Sequence, residues 1–413
     1  MGTESKTFNV LSIDGGGIRG IIPAMILAEI EEMTGKPIWK LFDLIAGTST
    51  GGIIALALTK PRRRRGKWER HYEAEDIVQF YKREGKSIFN RSTRHTILSV
   101  DGWIDKKYPE RGMQRVLRRY FGDFRLSETL TDVLIPSYDM RGTRQYWDDE
   151  IGERSGGHPR FFKSSRTKCC SQPNIDCQSN ASEGSSEPNT DCNSCEDCDS
   201  CKSDAKRESS NTKCRYQPHE DYLMREVAYA TAAAPTYFPP LETQFTPPID
   251  SGARIENLVE TLVDGGIFAN NPAMCAYAEA TKRRKETERT DENILLVSLG
   301  TGNLTKQLNA DAAKHWGKTC WIEPLFTMIF DGANDTVNYQ LKQLIDQKDY
   351  YRFQEDLWDE GSDEMDNPKK RHLRDLKKFA ECLIEKRECE LKRLSERLEA
   401  NRSCNCKNCK CLS

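Results

Sequence analysis

Residues 44–58 read Leu-Ile-Ala-Gly-Thr-Ser-Thr-Gly-Gly-Ile-Ile-Ala-Leu-Ala-Leu, which is a short apolar run, a sharp turn and an apolar helix in succession. Gly47 and Gly51 flank Ser49 two residues away on either side, which is the Gly-x-Ser-x-Gly spacing of a nucleophile elbow. A serine on such a turn has strained backbone angles, and flanking side chains would collide there. Its hydroxyl lies at the amino end of a helix, where free N–H groups and the dipole favour an alkoxide. The spacing also occurs in ordinary turns, but the apolar segments on both sides favour the elbow.

A glycine-rich loop follows a predicted strand at 8–13 and precedes a predicted helix at 21–34. Gly15, Gly17 and Gly20 satisfy the Gly-x-Gly-x-x-Gly fingerprint of dinucleotide-binding proteins. The same loop could instead form an oxyanion hole, in which glycine N–H groups converge on the negative oxygen of an acyl-transfer intermediate. Asp14 would lie unfavourably close to a pyrophosphate, and the next predicted strand ends in the serine elbow rather than in a ribose-binding acid. We therefore expect an oxyanion hole.

Strands and helices alternate along most of the chain. Apolar runs predict further strands at 132–138, 258–263 and 294–299, and further helices are predicted at 74–89, 113–120 and 223–233. This alternation predicts an α/β fold with a parallel sheet, whose loops at the carboxyl ends of the strands carry the site.

The carboxyl-terminal region, 324–401, is predicted to be helical throughout. Its long, highly charged final helix places Leu373, Leu376, Ala380 and Leu383 at helical spacing. We expect this face to pack against the body of the protein. A coiled coil is the alternative, and it is disfavoured because the heptads break near Arg387.

Composition and charge exclude two classes of protein. The 413 residues include 62 basic and 64 acidic ones, and the net charge of −2 gives no case for nucleic acid as a partner. No apolar run approaches the roughly 18 residues that a membrane span needs. The first six residues match neither a secretory signal nor a myristoylation motif, and no cysteine stands four residues from the carboxyl end. We expect a cytoplasmic, reduced protein, with peripheral membrane association as an open alternative.

A basic run at 60–70 contains four consecutive arginines, Arg62 to Arg65, followed by Trp68. Such a run could meet an anionic lipid surface. An exposed, solvated loop is the expected interpretation.

The 16 cysteines are clustered rather than distributed, which argues against a disulfide-stapled fold. Eight lie between Cys169 and Cys214, inside a segment that is rich in Ser, Asn, Asp and Glu and that has too few apolar residues to bury a core. This composition predicts a disordered surface insertion. Cys-x-x-Cys spacing could alternatively form a metal site, although two such pairs normally need a longer loop between them. The four residues of that candidate metal site are Cys192, Cys195, Cys198 and Cys201.

Three motifs occur in order: Asp-Gly-Gly-Gly-Ile-Arg-Gly at 14–20, Gly-Thr-Ser-Thr-Gly at 47–51 and Asp-Gly-Gly at 264–266. With these motifs the sequence closely resembles the patatin-like phospholipases. The resemblance extends to residues 230–240, 270–272 and 298–302, and so covers most of the chain from position 8 to at least 353. It implies a three-layer α/β/α fold with a mostly parallel central sheet. The cysteine-rich insertion lies outside the shared pattern.

By this resemblance Ser49 is the nucleophile and Asp264 the only base, so the pair forms a dyad. The expected oxyanion-hole amides are those of Gly15, Gly16, Gly17 and Thr50. Arg19 is expected to brace the loop. The other residues expected to support the motifs are Asp14, Gly20, Gly47, Gly51, Gly265 and Gly266.

An aspartate with an ordinary pKa near ~4 is a poor base at neutral pH. Burial must therefore raise the pKa of Asp264, or the proton must move late. None of the six histidines ends a predicted strand. His315 follows Asp264 in the chain, as in an ordinary hydrolase triad, and it is the one alternative base.

The predicted organisation is a catalytic domain in two parts, 1–163 and 220–305, separated by the insertion at 164–219 and followed by a helical region with a cysteine-rich tail at 306–413. The expected activity is hydrolysis of fatty-acyl esters in a glycerophospholipid or another acyl lipid, at a peripheral membrane surface and without a cofactor. The alternative is a lipid- or nucleotide-regulated binding protein with little turnover. The sequence does not indicate an oligomeric state.

Overall fold

The computed structural model describes residues 6–64, 67–89, 108–141, 146–147, 150–151, 156–164, 221–245, 258–287, 289–303, 310–358 and 364–403. Residues 165–219 of the cysteine-rich insertion, including Cys192, Cys195, Cys198 and Cys201, and the cysteine-rich tail lie outside these residues.

An eight-stranded mixed sheet forms the centre of the molecule. Its strands are β1 (Thr7–Ile13), β2 (Leu44–Gly47), β5 (Asp132–Asp139), β8 (His158–Lys163), β9 (Leu241–Phe245), β10 (Leu258–Asp264), β11 (Asn293–Leu299) and β12 (Tyr350–Phe353). Two small hairpins lie outside it: β3 (Pro61–Arg64) with β4 (Lys67–Arg70), and β6 (Tyr146–Trp147) with β7 (Glu150–Ile151).

Helices cover both faces of the sheet. They are α1 (Ile21–Thr34), α2 (Ile38–Leu41), α3 (Thr50–Thr59), α4 (Ala74–Ile88), α5 (Glu110–Phe121), α6 (Met224–Ala232), α7 (Gly266–Ala269), α8 (Ala273–Glu286), α9 (Ala310–Ala313), α10 (Lys318–Leu344), α11 (Lys370–Lys386) and α12 (Glu388–Ser403). None of the helices in the described part of the chain combines the length and the hydrophobicity needed to cross a membrane.

Each face of the sheet buries its own apolar core. Phe8 and Val10 of β1 belong to one core, whereas Leu11 and Ile13 belong to the other, because successive side chains of a strand point to opposite faces. This is why the central strands read as continuous apolar runs. The observed fold is the predicted three-layer α/β/α arrangement.

Strands β12, β11, β1, β2 and β5 run parallel, in that spatial order. Strands β8 and β10 both pair with β5 in the antiparallel direction. Residues 134–139 of β5 pair with β8, so β2 and β10 must share the other edge of β5. There β2 pairs with residues 132–134 and β10 pairs with residues 137–139. The two strands therefore run toward each other along one edge, and their carboxyl ends meet.

Several elements differ from the sequence-based predictions. The region 324–401 is not helical throughout, because Tyr350–Phe353 forms β12 beside β11. Strands β8 and β9 were not predicted. The basic run is exposed at Arg62, Arg63 and Arg64 as expected, but it forms the β3–β4 hairpin rather than a loop.

The final helical segment is two helices, which meet at Arg387, where the heptads break. Leu373, Leu376, Ala380 and Leu383 are buried, and α11 packs against α1. The prediction that this face packs against the body is confirmed.

We expect Leu376→Ala to lower the free energy of unfolding by about 2–5 kcal/mol, because a fully buried leucine leaves a cavity when it is truncated. Lys378→Ala on the exposed side of the same helix is the control, with an expected change below about 0.5 kcal/mol. Denaturant unfolding followed by circular dichroism measures both. Equal losses in the two variants would contradict the docking of α11 through this face.

Candidate active site

Ser49 lies on the turn between β2 and α3 and has backbone angles of φ 55° and ψ −121°. Positive φ is rare for a residue with a side chain and indicates a constrained turn. A Cβ added to Gly47 would lie 2.2 Å from the Gly51 carbonyl oxygen, and one added to Gly51 would lie 2.2 Å from that of Ile13. The glycines on both sides are therefore needed for the turn to close, as the sequence indicates.

The backbone of Ser49 is held by the helix that follows the insertion. Its N–H donates to Thr231 Oγ1 at 3.0 Å, and the Thr231 hydroxyl donates to the Pro136 carbonyl at 2.6 Å. Thr231 belongs to the alanine-rich part of α6, where small side chains allow close packing. Ser49 is partly exposed while its neighbours Thr48 and Thr50 are buried, so its hydroxyl can be reached from outside.

Asp264 is the last residue of β10 and is buried, at 5% exposure. The Ser49 side chain hydrogen-bonds to its carboxylate, and the Gly266 N–H donates to Asp264 Oδ1 at 2.7 Å. Burial raises the pKa of Asp264 to about 7, although both hydrogen bonds act in the opposite direction. The structure thus brings together the two residues that the sequence paired, and it gives the carboxyl group a pKa suited to proton transfer near neutral pH.

The glycine loop lies directly against the serine, since a Cβ added to Gly15 would be 3.3 Å from Ser49 Cβ. The Gly15 N–H donates to the Asn270 carbonyl at 2.9 Å, however, and is therefore occupied. The expectation that Gly15 contributes an oxyanion-hole amide is not supported by this geometry. The N–H groups of Gly16 and Gly17 have no acceptor within the described ranges of the chain.

Gly17 has a φ of +58°, and an added Cβ would lie 2.2 Å from the Met365 carbonyl oxygen. That carbonyl accepts a hydrogen bond from the Ile18 N–H at 2.7 Å, so the segment before α11 packs on the loop. Thr50 begins α3, so its N–H belongs to the free amides of the first helical turn. Gly16, Gly17 and Thr50 remain as the candidate oxyanion-hole donors.

Two arginines support the loop. Arg19 is buried and its Nε lies 3.5 Å from the Gly16 carbonyl oxygen, a position consistent with the expected bracing. Arg352 of β12 forms a buried salt bridge with Asp14, with 2.6 Å between Nη2 and Oδ2, and also donates to Ser298 Oγ at 2.8 Å. Arg352 was not among the predicted site residues, because its strand β12 lies in a region predicted to be helical.

The remaining glycines of the predicted motifs lie at the same turns. Gly20 ends the 3₁₀ turn at Gly17–Gly20, and Gly265 packs on the Pro136 carbonyl, where an added Cβ would lie 2.4 Å from the oxygen. Gly266 begins α7 and donates to Asp264, as described above.

His315 is exposed on the turn between α9 and α10, and the described contacts include none between it and Ser49 or Asp264. The alternative triad therefore receives no support from the geometry. Within the described residues, no group of three or more His, Cys, Asp and Glu side chains could hold a metal ion.

Comparison with known proteins identifies the family. The family model for patatin-like phospholipase matches residues 11–277, which include the glycine loop, the serine elbow and Asp264. The chain belongs to the patatin-like phospholipase family. This match confirms the resemblance that the three motifs indicated, and the activity associated with this family is lipid acyl hydrolysis.

Relatives in plants are similar over most of their length. Patatin-like protein 3 of Arabidopsis thaliana is 28% identical, with 92% of this chain and 81% of the relative covered. Patatin-11 of Solanum tuberosum is 27% identical, with 94% and 88% covered. A further Solanum tuberosum protein, named probable inactive patatin-3-Kuras 1, is 28% identical, with 86% and 82% covered. The similarity therefore extends beyond the matched domain into the carboxyl-terminal helices.

We expect Arg352→Met to lower the free energy of unfolding by about 3–5 kcal/mol, because it leaves the buried Asp14 carboxylate without its partner. Lys386→Met is the matched control, since the Lys386 side chain is 64% exposed and its partner Glu355 also pairs with Arg387, so the lost salt bridge should contribute less than about 1 kcal/mol. Denaturant titration of both variants measures the two losses in free energy of unfolding. A loss at Arg352 no larger than that at Lys386 would show that the glycine loop does not depend on this ion pair.

Proposed function

We propose that the protein hydrolyses fatty-acyl esters of glycerolipids through a Ser49–Asp264 dyad and an acyl-enzyme. The observation that carries the proposal is a buried carboxyl group, with its pKa raised to about 7, hydrogen-bonded to a serine on a strained elbow. A serine next to a base of matched pKa is the arrangement that nucleophilic acyl transfer requires.

In the first half-reaction, Ser49 Oγ attacks the ester carbonyl carbon while its proton moves to the Asp264 carboxylate. The carbonyl oxygen becomes an oxyanion, which the N–H groups of Gly16, Gly17 and Thr50 stabilise. The C–O bond to the glycerol oxygen then breaks, and Asp264 returns the proton to that leaving alcohol. The fatty-acyl group remains as an ester on Ser49.

In the second half-reaction, a water molecule occupies the place of the departed alcohol. The water oxygen attacks the acyl carbon while Asp264 accepts a proton from the water. The oxyanion forms again at the same amides. The bond to Ser49 Oγ breaks, Asp264 returns the proton to the serine, and the fatty acid leaves. One carboxyl group thus serves as base and acid in turn, which a pKa near the working pH makes effective.

A binding protein with little turnover is the second candidate, because one relative carries the word inactive in its name. Both dyad residues are present here and are hydrogen-bonded, which favours hydrolysis. Turnover of a chromogenic acyl ester separates the two candidates, since a binding protein would bind the ester stoichiometrically without releasing product.

We expect kcat/KM for a soluble p-nitrophenyl ester to rise with pH through about 7 and to level off above it, because Asp264 must be ionised to accept the Ser49 proton. Below this inflection the protonated carboxyl group cannot act as the base. Ser49→Ala should abolish turnover, and Asp264→Asn should reduce it by about 10²–10⁴-fold. A steady-state pH profile measures these effects.

His315→Ala is the control and should leave turnover unchanged. An inflection near ~4, the ordinary pKa of an aspartate, would contradict the buried base. Loss of turnover in folded His315→Ala would contradict the dyad and indicate that His315 completes a triad.

A further inference from the structure

Helix α10 exposes apolar side chains along its first half. Trp321 is 37% exposed, Leu325 49%, Met328 39% and Ile329 40%. Leu325, Met328 and Ile329 follow Trp321 by four, seven and eight residues, so all four side chains lie on one face of the helix. We refer to these four side chains as the α10 apolar face. Soluble surfaces carry single exposed apolar residues, whereas a contiguous row of this kind indicates a contact surface.

The α10 apolar face adjoins the candidate active site. Phe330, the residue after Ile329, packs toward the dyad, since a Cβ added to Gly266 would lie 3.6 Å from its ring. Asn334, one turn further along, lies 3.5 Å from the Asn270 side chain, whose backbone carbonyl binds Gly15. Helix α10 thus lies next to Gly266, which donates to Asp264, and next to Asn270, which binds the glycine loop. At about 1.5 Å per residue, Trp321 lies within about 14 Å of Phe330 along the helix axis.

The chemistry of this segment suits the interface of a lipid bilayer. Between positions 319 and 330 the sequence has one charged residue, Glu323. Lys314 and Lys318 precede this stretch, and Lys314 forms an exposed salt bridge with Asp311 at 2.7 Å. The rings of Trp316 and Trp321 meet edge to face, with centroids 5.1 Å apart. Tryptophan and long aliphatic side chains on one face are typical of helices that lie in the plane of a membrane surface.

We propose that the α10 apolar face docks the protein on a phospholipid surface, with the mouth of the Ser49–Asp264 site turned toward the lipid. This inference rests on the proposed function, since it supplies the route by which a membrane lipid reaches the dyad. The helix lies on the surface rather than crossing it, because it is too polar beyond Phe330 to span the bilayer.

The basic β3–β4 hairpin is the competing surface, and its position argues against it. The hairpin follows the carboxyl end of α3, whereas Ser49 precedes the amino end of the same ten-residue helix. The two are therefore separated by about 15 Å along α3. A membrane bound to the hairpin would lie at the end of α3 remote from the serine.

The test compares two tryptophans of equal exposure in the full-length protein. Trp321 is 37% exposed on α10 and Trp68 is 38% exposed on the hairpin. Each is changed to Asp, and Leu325→Asp is a second α10 variant that leaves the Trp316–Trp321 ring contact intact. Flotation with vesicles of phosphatidylcholine and phosphatidylserine measures binding. Turnover is measured on the same vesicles and on soluble p-nitrophenyl butyrate.

We expect Trp321→Asp and Leu325→Asp to weaken vesicle binding by about tenfold or more, because an ionised carboxylate resists entry into the interface. Turnover of vesicle lipid should fall in parallel, while turnover of the soluble ester stays within about twofold of wild type, because neither residue belongs to the dyad or the oxyanion hole. Trp68→Asp should bind vesicles as wild type does.

The inference would be overturned if Leu325→Asp bound vesicles as strongly as the wild type. It would also be overturned if Trp68→Asp alone lost vesicle binding. Light scattering that shows a wild-type dimer and a Leu325→Asp monomer would instead assign the α10 apolar face to a second copy of the chain. Failure of the wild type to hydrolyse even the soluble ester would reject the proposed function, and flotation would still report on the docking surface.

Discussion

The site depends on two strands that share one edge of β5 and run toward each other. β2 pairs with the first part of β5 and ends at the serine elbow, and β10 pairs with the last part and ends at Asp264. In an all-parallel sheet, neighbouring carboxyl ends lie side by side on adjacent strands. Here the two carboxyl ends face each other along one edge, which places Ser49 and Asp264, the proposed nucleophile and base, within hydrogen-bonding distance without a long loop.

This arrangement also sets the electrostatics of the site. Asp264 reaches the serine from inside the sheet and is therefore buried, and the same burial raises its pKa to about 7. The proposed mechanism needs no histidine, because a carboxyl group with a pKa near neutrality can itself accept and return the proton. Two hydrogen bonds hold the elbow in place. The Ser49 N–H donates to the Thr231 hydroxyl of α6, and the Thr48 hydroxyl donates to the Ala269 carbonyl.

Local chemistry predicted the serine elbow and the central strands, whereas the pairing of Ser49 with Asp264 was implied by the family resemblance. Gly47 is required by the Gly51 carbonyl, which is close in sequence, and the apolar runs of β1 and β11 reflect burial on both faces of the sheet. Contacts between distant segments carry no such signal. Arg352 meets Asp14 across 338 positions, and its strand is only four residues long, Tyr-Tyr-Arg-Phe, and partly polar. The engagement of the Gly15 amide with Asn270 likewise follows from the tertiary fold and not from the glycine pattern.

The central claim is that Ser49 is the nucleophile and that Asp264 activates it. Covalent labelling by a fluorophosphonate, followed by intact-protein and peptide mass spectrometry, tests both halves at once. We expect a single adduct on the peptide containing Ser49, and labelling at least about 100-fold slower in folded Asp264→Asn. An adduct on another serine, or an unchanged rate in Asp264→Asn, would contradict it.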